Sequence, residues 1–154
     1  MTTLQAHPDE ATLIERILRL PIFEGYTEHG VKTLLDAGTL TQAPDGEIIL
    51  HEHAPPAEVL LLIDGALEVV VEKESSEITV AEATPGQIVG EIALLCEMPR
   101  TASVRAKENS TLLVWEAKAF RQLLFSDAGF GRRIFRQSLR AVIESEKQLL
   151  RSLD

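Results

Sequence analysis

The chain has 154 residues, an apolar fraction of 45% and a formal net charge of −9 at pH 7. This length favours one domain with a real core over two domains, and no apolar stretch in the sequence is long enough to span a membrane. A strongly negative chain lacks the positive face that nucleic acids require, so we expect neither a nucleic-acid nor a membrane partner. The single cysteine cannot form an internal disulfide framework, which favours a cytoplasmic location.

Residues 1–38 are predicted to form an N-terminal helical segment. The acidic pair Asp9-Glu10 precedes a run of apolar residues at helical spacing. These apolar residues are Leu13, Ile14, Ile17, Leu18 and Leu20. Pro21 ends the run, Thr27 is placed to cap a second helix, and Gly38 is a suitable stop for that helix.

Residues 39–116 have the pattern of short strands separated by turns. The strand-like runs include 47–51, 59–63, 66–72, 78–83, 102–106 and 111–115. Asp45-Gly46, Asp64-Gly65 and Pro85-Gly86 stand between runs, where glycine allows tight turns. Many short strands at this spacing predict an antiparallel sandwich or jelly roll.

Residues 117–154 are predicted to form two C-terminal helices, with a cap for the second at Ser126-Asp127. Apolar residues of the second helix follow a heptad seam in which Glu146 takes one polar position. The seam residues are Phe135, Leu139, Val142, Leu149 and Leu153, and beside them lies a second apolar set of Phe130, Ile134, Ile143 and Leu150. We expect one face to pack on the strands and the other to meet a second copy of the chain. The alternative is that these apolar residues merely cover the mouth of the barrel.

The segment 89–106 carries the residues with the clearest chemistry. Glu91 follows a glycine and opens a short helical run, and Arg100 follows a proline ahead of small hydroxyl residues. A carboxylate suits a ribose hydroxyl, and an arginine fork suits a phosphate with two exposed oxygens. These parts together predict a site for a small sugar phosphate. The alternative is a surface ion pair between Glu91 and Arg100, which would contribute little energy.

The segment 89–106 also resembles the phosphate-binding cassette of the cyclic-nucleotide-binding domain family, of the catabolite-activator and protein-kinase-A regulatory-subunit type. The resemblance covers nearly the whole chain, because Gly46, Gly65 and Pro85-Gly86 match turns of that family. The fold it implies is an α+β domain with an eight-stranded antiparallel β jelly roll. Helices precede the jelly roll, and a hinge helix and a long lid or dimer helix follow it.

The resemblance also implies roles for individual residues. Glu91 would accept a hydrogen bond from the ribose 2′-hydroxyl, Arg100 would pair with the cyclic phosphate, and Thr101 would be compatible with cGMP without excluding cAMP. The ligand-binding residues it implies are Val89, Gly90, Glu91, Ile92, Ala93, Arg100, Thr101, Ala102 and Val104. The residue that caps the base is expected on the last helix, among Arg132, Arg133, Arg136 and Arg140.

The sequence departs from the family pattern outside the cassette. His53 stands where the family usually has glycine, and Leu60 stands where it usually has an aromatic residue. His51 and His53 alternate on a predicted strand, but a metal needs three or four ligands, so we predict no metal site. Cys96 is expected to be a small buried hydrophobic residue, and no catalytic arrangement is evident.

We therefore predict a stand-alone cyclic-nucleotide sensor that is not an enzyme and needs no cofactor beyond its ligand, cAMP in preference to cGMP. The bacterial regulators of this type continue into a winged helix-turn-helix, for which this length leaves no room, so we expect action in trans on an effector protein. Two alternatives stay open. The chain could be an interaction module with little nucleotide affinity, or a regulatory fragment of a longer protein.

Overall fold

The computed structural model describes residues 1–3 and 9–153. The helices are α1 (Glu10–Leu18), α2 (Glu28–Asp36), α3 (Glu91–Leu95), α4 (Ala117–Ser126) and α5 (Ala128–Ser152), with a 3₁₀ turn at Pro21–Phe23. The strands are β1 (Thr2–Thr3), β2 (Thr39–Ala43), β3 (Ile48–Leu50), β4 (Glu58–Asp64), β5 (Leu67–Lys73), β6 (Ser76–Ala83), β7 (Ile88–Val89), β8 (Ser103–Ala106) and β9 (Ser110–Glu116).

The strands form two antiparallel sheets. One sheet has the order β1-β2-β9-β4-β7, and the other has the order β3-β8-β5-β6. The eight strands from β2 to β9 form the jelly roll, so the predicted α+β jelly-roll fold is confirmed. The two-residue β1, which pairs with β2 at Thr2–Gln42 and Thr3–Thr41, was not predicted. A strand this short has no periodicity that a sequence pattern can show.

The central strand β4 separates two hydrophobic cores. Its side chains alternate between the two faces of the sheet, as in any strand. Val59, Leu61 and Ile63 pack among the helices, whereas Leu60 and Leu62 pack between the two sheets. Both faces are therefore covered, which explains the uninterrupted apolar run in the sequence. Leu60, which stands where the family usually has an aromatic residue, is fully buried.

Helix α1 begins at the predicted acidic pair, and α2 begins after its predicted cap, Thr27. The Asp9 carboxylate accepts from the Ala11 N–H at the start of α1, and the Thr27 hydroxyl accepts from the Gly30 N–H at the start of α2. These bonds satisfy amide groups that have no partner inside the helix. The helices cover the outer face of the larger sheet, where the indole N–H of the fully buried Trp115 donates to the Leu34 carbonyl over 2.9 Å.

Gly65 and His53 are among the turn residues that have left-handed backbone conformations. Gly65 has a φ of +106°, and a Cβ there would lie 2.2 Å from the Ser110 Oγ, so this position requires glycine. His53 has a φ of 72° although it is not glycine. Its N–H donates to the Arg100 carbonyl over 2.8 Å. The position where the family usually has glycine thus keeps the glycine-like conformation with a histidine, at some cost in backbone strain.

Helix α5 packs on the domain through its first turns only. The Asp127 carboxylate caps it by accepting from the Phe130 N–H, and Phe130 and Ile134 are buried. Ile143 and Leu150, which we expected to pack beside them, are about half exposed. That part of the prediction is wrong, because the buried residues of this 25-residue helix are Phe130 and Ile134, both in its first two turns. The seam residues Phe135, Leu139, Val142, Leu149 and Leu153 are exposed as well.

Within residues 1–3 and 9–153, none of the helices combines the length and the apolar character needed to cross a membrane.

Candidate functional site

The predicted cassette begins where β7 turns into α3. Gly90 forms this turn with a φ of +92°, in the region that residues with a Cβ rarely adopt. A Cβ at Gly90 would lie 2.9 Å from the Arg100 Nη1 and 3.0 Å from a Leu50 methyl group. The glycine therefore allows the left-handed turn and also the close approach of the Arg100 guanidinium.

Replacing Gly90 with alanine is expected to destabilise the fold and disturb the Arg100 side chain. A non-glycine residue with this φ costs at least about 1 kcal/mol, and the new Cβ would displace the guanidinium in addition. Chemical denaturation of the Gly90→Ala variant measures this change. A matched control is Gly129→Ala, because a Cβ there would make contacts no closer than 3.4 Å. A Gly90→Ala variant as stable as the wild type would contradict the strained turn.

Glu91 is the first residue of α3, and its side chain points into the domain. It is only 5% exposed, and its Oε1 accepts from the Ser138 hydroxyl of α5 over 2.9 Å. Burial raises the pKa of the Glu91 carboxyl, while the backbone N–H of Glu91, the Ser138 hydrogen bond and the positive charge of Arg100 oppose that rise. The carboxylate thus lies in a poorly solvated environment where a further hydrogen-bond donor is favourable.

Arg100 lies in the segment between α3 and β8 and is 6% exposed. Its Nη1 donates to the Gly90 carbonyl over 3.2 Å, and its Nη2 donates to the Glu58 carbonyl over 2.5 Å. These two bonds anchor the guanidinium between β4 and the Gly90 turn. A guanidinium has five N–H donors, and within residues 1–3 and 9–153 three of them have no acceptor and are available to an anion.

The alternative of a surface ion pair between Glu91 and Arg100 is wrong. Both side chains are buried, and in the ranges that the structure describes no ion pair within 4.0 Å joins them. Burial also lowers the pKa of Arg100, and the negative charges of Glu58 and Glu91 oppose that shift. The site thus holds a buried cation and a buried anion separately, and both favour polar groups supplied from outside.

A cavity of about 1220 Å³ lies against these two residues. The structure brings all nine predicted ligand-binding residues to its wall, namely Val89, Gly90, Glu91, Ile92, Ala93, Arg100, Thr101, Ala102 and Val104. Leu50, Val69 and Met98 add an apolar part of the wall. A cavity that combines apolar walls with a few polar groups is typical of small-molecule sites. The role of the nine residues in binding stays a prediction.

The four candidate base-capping arginines all reach the cavity wall, but they differ in their contacts. Arg133 donates to the Ile22 carbonyl over 2.9 Å and to the Glu24 carbonyl over 2.6 Å, and its guanidinium stacks 5.0 Å from the Tyr26 ring centre. It therefore fixes α5 to the turn before α2. Arg132, Arg136 and Arg140 follow one another at four-residue spacing on the face of α5 toward the cavity.

Two contacts of α5, one with β7 and one with the cassette, were not predicted. Gln137 accepts from the Ile88 N–H over 3.0 Å and donates to the Ile88 carbonyl over 2.8 Å, and Ser138 donates to Glu91. Both residues follow the buried Ile134 by three or four positions, so they share its face of the helix. Polar residues that continue the buried apolar face of a helix are the sequence signal that could have indicated these two contacts.

The prediction that Cys96 is buried is wrong, because its side chain is exposed. The buried residues of α3 are Glu91 and Leu94, which are three positions apart on one face. Cys96 follows Leu94 by two positions and so points about 200° away from it. His51 and His53, the pair weighed as metal ligands, are also exposed.

The site thus places a buried carboxylate, an anchored guanidinium with free donors and apolar walls around one cavity. The carboxylate can accept from a sugar hydroxyl, and the guanidinium can bind two oxygens of a phosphate. The ligand class that needs both is a sugar phosphate.

Comparisons with known proteins agree with this chemistry. The Cyclic nucleotide-binding domain family matches residues 40–127. The potassium channel AKT1 of Oryza sativa subsp. indica is 25% identical over 126 residues, which are 82% of this chain and 14% of the channel. The chain therefore spans only a small part of that relative.

Solved structures share the fold. The catabolite activator protein of Thermus thermophilus superposes with a TM-score of 0.74 at 24% identity, covering 84% of this chain and 61% of that one. The regulatory domain of Toxoplasma gondii PKA, solved with cAMP, superposes with a TM-score of 0.68 at 21% identity, covering 89% of this chain and 50% of that one. With the cassette geometry and the family match over 40–127, these findings show that the chain belongs to the cyclic nucleotide-binding domain family.

Proposed function

We propose that this chain binds a cyclic mononucleotide, cAMP in preference to cGMP, and acts as a sensor that regulates a partner protein in trans without catalysis of its own. The observation that carries the proposal is the arrangement of Glu91 and Arg100, both buried and both on the wall of one cavity. A buried carboxylate and a buried guanidinium that are not paired with each other favour a ligand that satisfies both.

In this proposal the ribose and the phosphate bind at the cassette. The Glu91 carboxylate accepts from the ribose 2′-hydroxyl, and the remaining N–H groups of Arg100 donate to the phosphate oxygens. The Ile92, Ala93 and Ala102 N–H groups supply further donors along the wall. The base then lies toward α5, where Arg132, Arg136 or Arg140 stacks on it, since Arg133 is held by backbone carbonyls.

The preference for cAMP is supported by the cAMP that the Toxoplasma domain was solved with. Thr101 lines the cavity, and its hydroxyl is also compatible with the amino group of guanine. We therefore propose cAMP as the main ligand and cGMP as a weaker one. A cytoplasmic location, and a division into segments 1–38, 39–116 and 117–154 of one domain, stay part of the proposal.

Binding of the ligand is expected to shift the position of α5. This helix contacts β7 at Ile88 and the cassette at Glu91, so a ligand that changes the cassette changes the energy of those contacts. A population shift of this kind requires that the ligand bind the two helix positions with different affinity. The effector protein would read the position of α5.

A thermal-shift series tests the proposed ligand class. A ligand at one hundred times its dissociation constant stabilises the fold by about 2.7 kcal/mol, which raises the melting temperature by several degrees. We expect the largest rise with cAMP, a smaller one with cGMP and little change with 5′-AMP, which lacks the cyclic phosphate. If none of the cyclic nucleotides changes the melting temperature, the chain is an interaction module with the family fold and no nucleotide affinity.

We further propose that the exposed seam of α5 pairs two copies of the chain. Phe135 is 65% exposed, and Leu139, Val142 and Leu149 continue the same stripe at heptad spacing. A stripe that repeats every seven residues is complementary to a second copy of itself, and exposed apolar patches of this kind mark interaction surfaces. Analytical ultracentrifugation is expected to show a dimer.

A single charge in the seam tests this surface. Leu139→Glu would bury two like charges at the dimer axis and is expected to raise the dimer dissociation constant at least about a hundredfold. Gln148→Glu is the matched control, since it adds the same charge to the same helix outside the seam. A Leu139→Glu variant that dimerises like the wild type would contradict the proposal that the seam is the dimer interface. A monomeric wild type would contradict the proposal that the chain forms a dimer.

A further inference from the structure

The hydrogen bond between Ser138 and Glu91 connects α5 to the residue that we assign to the ribose. The Ser138 hydroxyl donates to the Glu91 Oε1 over 2.9 Å. Ser138 is half-buried and Glu91 is buried, so solvent competes little for this bond. A hydrogen bond to a charged group in such surroundings is stronger than one at the surface.

The position of Ser138 is fixed by its neighbour. The Gln137 side chain bonds to both the N–H and the carbonyl of Ile88, over 3.0 and 2.8 Å. The side-chain amide of Gln137 thus bonds to the backbone of β7 in the way that a neighbouring strand would. Ile88 lies three residues before Glu91. The bonds of Gln137 to Ile88 therefore hold the following residue, Ser138, beside the Glu91 carboxylate.

The Ser138 bond leaves room for a second donor on Glu91. A carboxylate has two oxygens with about four acceptor positions, and Ser138 uses one of them. Glu91 also lies on the cavity wall, so a ribose hydroxyl can reach the carboxylate from that side. The hydroxyl of Ser138 and that of a ribose can therefore bind the same carboxylate together.

We propose that Ser138 is a positioning residue for ribose recognition, so that docking of α5 and binding of the ribose favour each other through the shared Glu91 carboxylate. This inference rests on the proposed function. It adds the contact through which binding of the ligand would change the position of α5. By linkage, a helix contact that strengthens ribose binding is itself strengthened by the ribose, by the same factor. A ligand without the 2′-hydroxyl cannot donate to Glu91, so its affinity does not depend on the Ser138 contact.

The test compares cAMP with 2′-deoxy-cAMP on three variants by calorimetry. Ser138→Ala is expected to weaken cAMP binding about tenfold, and Ser138→Thr, which keeps the hydroxyl, is expected to restore it. For 2′-deoxy-cAMP the wild type and Ser138→Ala should agree within about twofold. Ser145→Ala is the matched control, because it makes the same change at an exposed position of the same helix and should alter neither affinity.

Three results would overturn the proposal while leaving the nucleotide site intact. The first is tighter cAMP binding by Ser138→Ala, which would mean that Ser138 competes with the ribose. The second is an equal loss for both ligands, which would mean that Ser138 acts on helix docking alone. The third is cAMP affinity in Ser138→Ala equal to that of the wild type.

A second readout needs no nucleotide and separates the positioning role from the proposed function. Carbon-detected NMR titration of Glu91 in the ligand-free protein should show a higher carboxyl pKa in Ser138→Ala than in the wild type, because the Ser138 bond stabilises the ionised form. Arg100 is the charged group that also acts on this carboxyl, and it is unchanged in the comparison. An unchanged pKa overturns the positioning role, whereas a wild type that binds no cyclic nucleotide overturns the proposed function.

Discussion

Replacing Arg100 with alanine is expected to weaken cAMP binding by about 2–5 kcal/mol, as measured by calorimetry. The guanidinium is buried and fixed by the Gly90 and Glu58 carbonyls, so it meets a phosphate without having to be ordered first. Its removal leaves the phosphate of the ligand in a poorly solvated part of the cavity without the guanidinium that would pair with it. This loss should therefore appear in the binding enthalpy as well as in the affinity.

The controls for Arg100→Ala separate loss of binding from loss of fold. Arg100→Lys keeps the charge but not the two-pronged geometry, so an intermediate affinity is expected. Arg19→Ala removes an arginine directly after α1 that pairs with Glu15 at the surface and should leave binding unchanged. Circular dichroism verifies that each variant is folded. An Arg100→Ala variant that is folded and binds cAMP like the wild type would contradict the assignment of the phosphate site.

Replacing Phe130 with alanine is expected to lower the free energy of unfolding by about 3–5 kcal/mol. Phe130 is fully buried in α5, and its ring lies 5.7 Å from that of Trp115 and 5.9 Å from that of Phe120. This cluster joins α5 and α4 to the larger sheet, and truncation would leave a cavity in the middle of it. Urea denaturation at a fixed chain concentration measures the change.

The matched control for this variant is Phe125→Ala. Phe125 lies near the end of α4 and is 91% exposed, so the same truncation there should change the free energy of unfolding by no more than about 0.5 kcal/mol. Equal effects at the two positions would contradict the role of the aromatic cluster. A loss at Phe130 below about 1 kcal/mol would contradict it too.

Much of the fold could be predicted from the sequence because its signals are local. Thr27 and Asp127 cap the helices that follow them, and both have a side-chain oxygen suited to this position. Gly65 occupies a backbone conformation that a residue with a Cβ rarely adopts. Signals of this kind require no knowledge of the rest of the molecule.

Other features depend on contacts between distant segments and left no local signal. The Ser138 bond to Glu91 spans 47 residues, and the Gln137 bonds to Ile88 span 49. The exposure of the Cys96 side chain depends on which face of the five-residue helix α3 packs on the sheet. Such outcomes are decided by tertiary packing, which composition and spacing do not specify.

The candidate site lies between these two cases. Glu91 and Arg100 could be singled out because a carboxylate and a guanidinium nine residues apart stand in a pattern typical of one family. Their burial, and the cavity that they share with the arginines of α5, came only with the fold. The residue that would stack on the base was the least predictable part of the site. Four arginines on one helix cannot be distinguished by sequence until their contacts are known.

The most direct test of nucleotide binding is a calorimetric titration of the wild-type chain with cAMP. We expect saturable binding of one nucleotide per chain, with weaker binding of cGMP. Absence of heat and of saturation with both nucleotides would contradict the proposal that the Glu91 and Arg100 cavity is a cyclic-nucleotide site.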